Sequence, residues 1–175
     1  MDKETGGRME IITLEKQHLP MLTRLLKRVG YRTNEADVVE RYEFAAEIGS
    51  QTMLAALLGA GHLAGYIHVV ASPTLTHSPR AEVVGFLVEK TEDEIEIGKQ
   101  LLTAAEKWST QNGYPYMRVR SEIGQETAHQ IYEGLGFIKV KTSHVYLKGV
   151  SNHSASEGAH DEAQSLEWAS AQTGS

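Results

Sequence analysis

Between residues 82 and 113 an apolar run passes through a turn crowded with acids into a long segment with helical periodicity. Residues 82–88 read EVVGFLV, short and rich in β-branched and aromatic side chains, the pattern of a buried strand. Downstream, Ile97, Leu101, Leu102, Ala105 and Trp108 fall on one helical face, and Asn112-Gly113 closes the run. A strand that turns directly into a one-sided helix has to lay that helix back on a sheet. The chain is thereby directed to an α/β or α+β arrangement.

The rest of the chain supplies the other layers. Residues 9–14 (MEIITL) read as a first strand. Residues 19–29 carry Leu19, Leu22, Leu25, Leu26 and Val29 at helical spacing, and Gly30 ends the run. Asn34 is placed to cap a second helix that runs to about residue 48 and stops at Gly49-Ser50. Residues 52–58 and 63–71 are apolar and β-rich around a Gly-Ala-Gly-His turn, which predicts a hairpin. Residues 72–78 form a loop with Pro73 inside and Pro79 just after. Residues 116–120 predict a short strand and 125–135 a helix, with Ala128, Ile131, Tyr132 and Leu135 on one side and Gly136 as its breaker. Residues 137–141 and 144–147 predict a closing hairpin. The predicted order is β-α-α-β-β-β-α-β-α-β-β, with no internal repeat.

Composition narrows the function classes. The chain has 175 residues, enough for one domain with a core. It has no cysteine, so disulfides and thiolate chemistry are excluded. The net charge of −6 argues against a broad nucleic-acid face, which needs clustered Lys and Arg. No apolar run approaches the roughly 20 residues that span a bilayer, and residues 1–8 lack the apolar centre of a signal peptide. The expectation is a cytoplasmic protein. Residues 149–175 hold four of the 23 acidic side chains and none of the 17 basic ones, so this segment carries −4 of the −6. It is poor in large apolar residues and is expected to be a disordered tail, with a short helix over 161–169 around Trp168. Residues 1–148 form the expected domain. No G-x-S-x-G elbow, complete P-loop or His-rich metal spacing is present, and Gly59, Gly61 and Gly65 fall in a hairpin rather than before a helix.

Two segments carry a resemblance. The stretch EVVGFLVEKTEDEIEIGKQLLTAAEKW is similar to motif A of the GNAT superfamily of N-acetyltransferases, with Gly98 and Leu101-Leu102 in register. The stretch ETAHQIYEGLGF resembles motif B of that family through Ala128, Ile131, Tyr132, Gly136 and Phe137, with Gln125 where Asn is common. The resemblance covers roughly residues 9–148. It implies a mixed central sheet flanked by helices, with a V-shaped splay between the fourth and fifth strands. It also implies acetyl-CoA as co-substrate and an amine acceptor, small-molecule or peptide. Cofactor contacts would fall on Phe86, Leu87 and Val88 of the strand and on Glu94, Ile95, Glu96, Ile97, Gly98 and Lys99 at the helix start. By motif position Tyr132 would protonate the leaving thiolate, and Glu82 is the candidate base.

The turn departs from the family pattern. Asp93 stands where Arg or Gln is usual and Glu96 replaces the middle glycine, with Glu92 and Glu94 beside them. A helix N-terminus attracts anions through its free N–H groups and dipole. A carboxylate about 6 Å from a phosphate opposes this by roughly 1–3 kcal/mol. The same acids also stabilise the first helical turn by about 0.3–1 kcal/mol each, and Lys90 and Lys99 offset some repulsion. Two readings follow: a working acetyltransferase, or a non-catalytic GNAT-like binding module with a degraded pyrophosphate loop. His68 is expected to be a structural histidine. Tyr31, Arg32, Glu35 and Glu43 are candidates to order an acceptor, and the acidic balance favours a cationic one. A homodimer is open, with nothing in the sequence to support it.

Overall fold

The computed structural model describes residues 9–150 except 60, 122 and 149. The expected acidic tail, its short helix and Trp168 therefore lie outside the described residues, apart from Val150.

The first strand, β1 (Met9–Thr13), leads through a 3-10 turn (Lys16–His18) into α1 (Leu19–Arg28) and α2 (Glu35–Ala46). Asn34 caps α2 reciprocally. The Asp37 amide donates to Asn34 Oδ1 at 3.0 Å and the Asn34 amide donates to Asp37 Oδ2 at 3.3 Å. Next come β2 (Gln51–Leu58), β3 (His62–Ser72), β4 (Arg80–Val88), α3 (Glu94–Gln111), β5 (Tyr116–Val119) and α4 (Glu126–Gly134). The strands form one mixed sheet in the order β1-β2-β3-β4-β5. The first four pair antiparallel, and β5 joins β4 in parallel because α3 carries the chain back across the sheet.

Period-2 side-chain alternation gives the sheet two apolar faces, and both are covered. Ile67, Val69, Ala81 and Val83 pack with Ile97, Leu101, Leu102 and Ala105 of α3 and Ile131 of α4. On the other face Ala55 and Leu63 pack with Leu19, Leu22 and Leu25 of α1 and Val38 of α2. Among the described residues no helix is long and apolar enough to cross a membrane.

The predicted closing hairpin does not form. Residues 137–148 join no ladder, and Ile138, Val140, Val145 and Tyr146 are at least three-quarters exposed. A two-stranded ribbon that buries no face is marginal in water. Elsewhere boundaries move by a few residues: α3 begins at Glu94 rather than Ile97, and β4 at Arg80 rather than Glu82.

Candidate active site

The site grows from an irregularity in β4. His68 pairs with Gly85 and Val69 with Val83, so Val84 is an extra residue, a β-bulge. On its other side β4 is paired to β5 only from Arg80 to Val83. β5 ends at Val119, so from Val84 onward no strand among the described residues lines that edge, and β4 is open there. The Glu89 amide donates to Ala64 O at 2.8 Å. Antiparallel alternation then turns the backbone groups of Leu87 toward β3 and those of Phe86 and Val88 toward the open side.

Tyr132 lies across this opening. Its ring packs between Phe86, 6.0 Å between centroids, and Phe137, 5.8 Å and edge-on. Burial pushes its phenol up to about 12, against the opposing effect of a hydrogen bond with Ser121, just past β5. The hydroxyl therefore stays protonated at neutral pH. Ser121 was not foreseen from the sequence.

The α3 N-terminus lies beyond the end of β4. Asp93 occupies the N-cap position, but its side chain caps nothing. The Glu94 amide donates to Thr91 O at 3.2 Å and that of Ile97 to Asp93 O at 2.9 Å, which leaves the amides of Ile95 and Glu96 as donors without an intrahelical partner. Glu96 accepts from Gln100 Nε2 at 2.8 Å, along the helix rather than across its end. Burial raises the Glu94 carboxyl, partly offset by Lys90. So Asp93 does not cap the helix start, and Glu96 is engaged along the helix with Gln100. Ile97 and Gly98 face inward and are buried. A Cβ on Gly98 would lie 2.7 Å from Ile131 Cδ1, so a larger residue here would displace the buried Ile131 side chain where α3 meets α4. Lys99 runs beside Gly134, where an added Cβ would sit 3.7 Å from its Cε.

Glu82 is buried on the opposite face of β4. It is clasped by Arg118 Nη2 at one oxygen and by Arg120 Nε, 3.0 Å away, at the other. The Arg-x-Arg spacing of Arg118, in β5, and Arg120, just past it, was the signal for this clasp. His68 meets Gln51 Oε1 at 2.7 Å through Nε2, and burial lowers its pKa. Glu89 accepts from Arg28 Nε at 2.7 Å and lies 2.8 Å from His62 Nε2, tying the end of β4 to α1 and β3. Tyr31, Arg32, Glu35 and Glu43 are exposed around α2, and Glu43 pairs with Lys16.

The family model described as "Acetyltransferase (GNAT) domain" matches residues 16–154. The chain belongs to the GNAT acetyltransferase family. Solved structures agree in fold with this GNAT domain. The aminoglycoside N-acetyltransferase AAC(6')-Iy, in complex with CoA, superposes with a TM-score of 0.70 at 19% identity, over 83% of this chain and 97% of that one. The aminoglycoside 6'-N-acetyltransferase AAC(6')-Ih of Acinetobacter baumannii gives 0.68 at 14%, over 82% and 100%. The glucosamine-6-phosphate N-acetyltransferase of Arabidopsis thaliana gives 0.68 at 12%, over 80% and 98%. No curated protein matches the sequence.

Proposed function

We propose that this GNAT domain transfers the acetyl group of acetyl-CoA to a primary amine of a small molecule or peptide. The observation that best supports it is the open edge of β4. There Phe86 and Val88 turn unpaired backbone groups toward a splay that the protonated Tyr132 spans.

The co-substrate, when bound, supplies an acetyl thioester. The free amides of Ile95 and Glu96 are the donors placed to hold its pyrophosphate. Backbone donors at Phe86 and Val88 stabilise the carbonyl oxygen as the amine attacks. Tyr132 gives its proton to the departing sulfur, and its buried ring keeps that proton available at neutral pH. Glu82 is the base. With both oxygens held by arginines, it takes the amine's proton by way of water rather than by direct contact.

A second reading, a non-catalytic binding module, is favoured by the acids around the α3 N-terminus. Calorimetric titration of acetyl-CoA into the purified protein separates the two. The enzyme reading expects saturable binding that Tyr132→Phe leaves intact while turnover falls by roughly 10²–10⁴-fold. No binding up to millimolar concentration, with binding restored by Glu96→Gly combined with Asp93→Arg, would sink it in favour of the module.

A further inference from the structure

At the start of β4, away from the splay, an open groove of about 600 Å³ is lined by Leu75, Thr76, His77, Ser78, Arg80 and Tyr116. None of these residues is acidic, although the whole chain carries 23 acids against 17 basic residues. Arg80 is half-buried. Its Nε is buried without a hydrogen-bond partner, and among the described residues its guanidinium has no ion pair. A partly desolvated guanidinium left unpaired is costly, because its donors have lost water without replacement.

The nearest carboxylate along the strand does not solve this. Glu82, two residues on and on the same face of β4, is committed to Arg118 and Arg120. Among the described residues that face carries Arg80, Arg118 and Arg120 with Glu82 as their paired carboxylate, a local excess of positive charge in a protein of net charge −6. The loop around the groove is held by its own hydrogen bonds. Thr76 Oγ1 meets His77 Nδ1 at 2.8 Å, and the His77 amide donates to Thr74 Oγ1 at 3.2 Å. Neither uses Arg80.

Arg80 is on the face of the sheet opposite α3 and Tyr132. Tyr132 and α3 belong to one face of β4, with Ala81 and Val83. Arg80 and Glu82 point to the other by strand alternation. Arg80 is four residues before the bulge at Val84, roughly 13 Å along a strand. Allowing for the reach of the arginine, an anion on Arg80 and an amine at the splay would be separated by roughly 8–13 Å.

We propose that the groove at the start of β4 binds an anionic group of the acceptor, a carboxylate or a phosphate, through Arg80. This rests on the acetyltransferase reading for the reaction, though not for the binding. The acceptor class is thus an amine with a distal anionic group. The net acidity of the chain, which by itself favours a cation, is locally reversed here.

Two measurements test it. The first is calorimetric titration of inorganic phosphate, and separately of an aminocarboxylate, into the full chain and into Arg80→Gln. Saturable binding of one of the two, weakened roughly 10- to 100-fold by the substitution, is expected. The anion that binds identifies the source. No binding of either, or binding indifferent to Arg80→Gln, overturns the proposal whether or not the protein acetylates anything. The second, made once turnover is established, compares matched amines ending in a carboxylate, a phosphate or a neutral amide. The anionic acceptors should show the lower KM at similar kcat. Arg80→Gln should remove that preference, and Arg80→Lys should keep part of it. Equal KM values for charged and neutral acceptors refute it. Because the Arg80 side chain makes no hydrogen bond or ion pair among the described residues, Arg80→Gln should leave the urea midpoint unchanged or raised. A large loss of stability would make Arg80 structural and overturn the assignment.

Discussion

Gly65→Ala should loosen the seat of α3 on the sheet. Gly65 is in β3 beneath the first turns of that helix. A Cβ there would lie 2.8 Å from Leu101 Cδ1, 3.0 Å from Ile97 Cγ2 and 3.3 Å from the Leu87 carbonyl oxygen. Leu101 and Ile97 are fully buried, so neither can swing its methyl into solvent. Ile97 Cγ2 branches directly from Cβ, and a β-branched side chain in a helix has one strongly preferred χ1 rotamer, so it cannot readily turn aside. The helix must therefore rise by a few tenths of an ångström. Overpacking of this kind costs about 1–3 kcal/mol. Replacing glycine by alanine returns about 0.4–1 kcal/mol through the unfolded chain, so the net loss is about 1–2 kcal/mol by the same two effects. The midpoint of thermal unfolding should then fall by roughly 2–8 °C. Urea titration followed by circular dichroism reads the change directly, with an unaltered slope. Gly49→Ala is the control. Nothing lies within 4 Å of its added Cβ and its φ is not positive, so it should be neutral or stabilising. If Gly65→Ala proves as stable as Gly49→Ala, the close approach of α3 to β3 is not a constraint and the reasoning fails.

Three further outcomes are expected. Burial raises the phenols of Tyr66 and Tyr132, the latter to about 12. The unfolded chain ionises first, so stability present below pH ~10 is lost above it; a urea midpoint that stays flat between pH ~9 and ~11 would contradict this. For His68 the sign is opposite. Burial depresses its folded pKa, so its contribution is present above pH ~6.5 and lost as pH falls below it. His68→Leu should remove part of the acid slope of the urea midpoint, and an identical slope would count against a buried neutral ring. Within the Glu82 clasp, Arg118 is the shielded partner at 33% exposure and Arg120 the open one at 68%. Arg118→Met should cost about 2–4 kcal/mol and Arg120→Met under about 1 kcal/mol, as read by urea denaturation. Equal losses would show that burial does not grade the two pairs.

Much of the site region could be read in the sequence where local pattern and tertiary need coincide. The Asn34 cap, the inward face of α3 and the position of Tyr132 on α4 follow from spacing alone, because each is fixed within one or two helical turns. The Val84 bulge could not be read in this way. EVVGFLV looks like an uninterrupted strand, and only the pairing of His68 with Gly85 and Val69 with Val83 makes Val84 the extra residue. The Tyr132–Ser121 contact joins residues from separate elements and had no local signal. The hairpin expected over 137–147 had the right composition, but alternation states which face would be apolar and says nothing of whether another surface exists to cover it.

The acidic turn shows the same division. The sequence by itself determined that carboxylates crowd the start of α3, and that a helix beginning there has N–H groups to offer. It also determined the family, through Gly98, the paired leucines and the run from Tyr132 to Phe137. Only the tertiary structure decided where those acids point. Glu96 bonds along the helix to Gln100, Asp93 leaves the cap position unfilled, and Gly98 turns inward to admit Ile131. Glu82 likewise needed β5 beside it before its partners were known. The physical reason is range: charge and periodicity are properties of neighbouring residues along the chain, whereas the direction of a side chain is set by the distant strands and helices that leave it room.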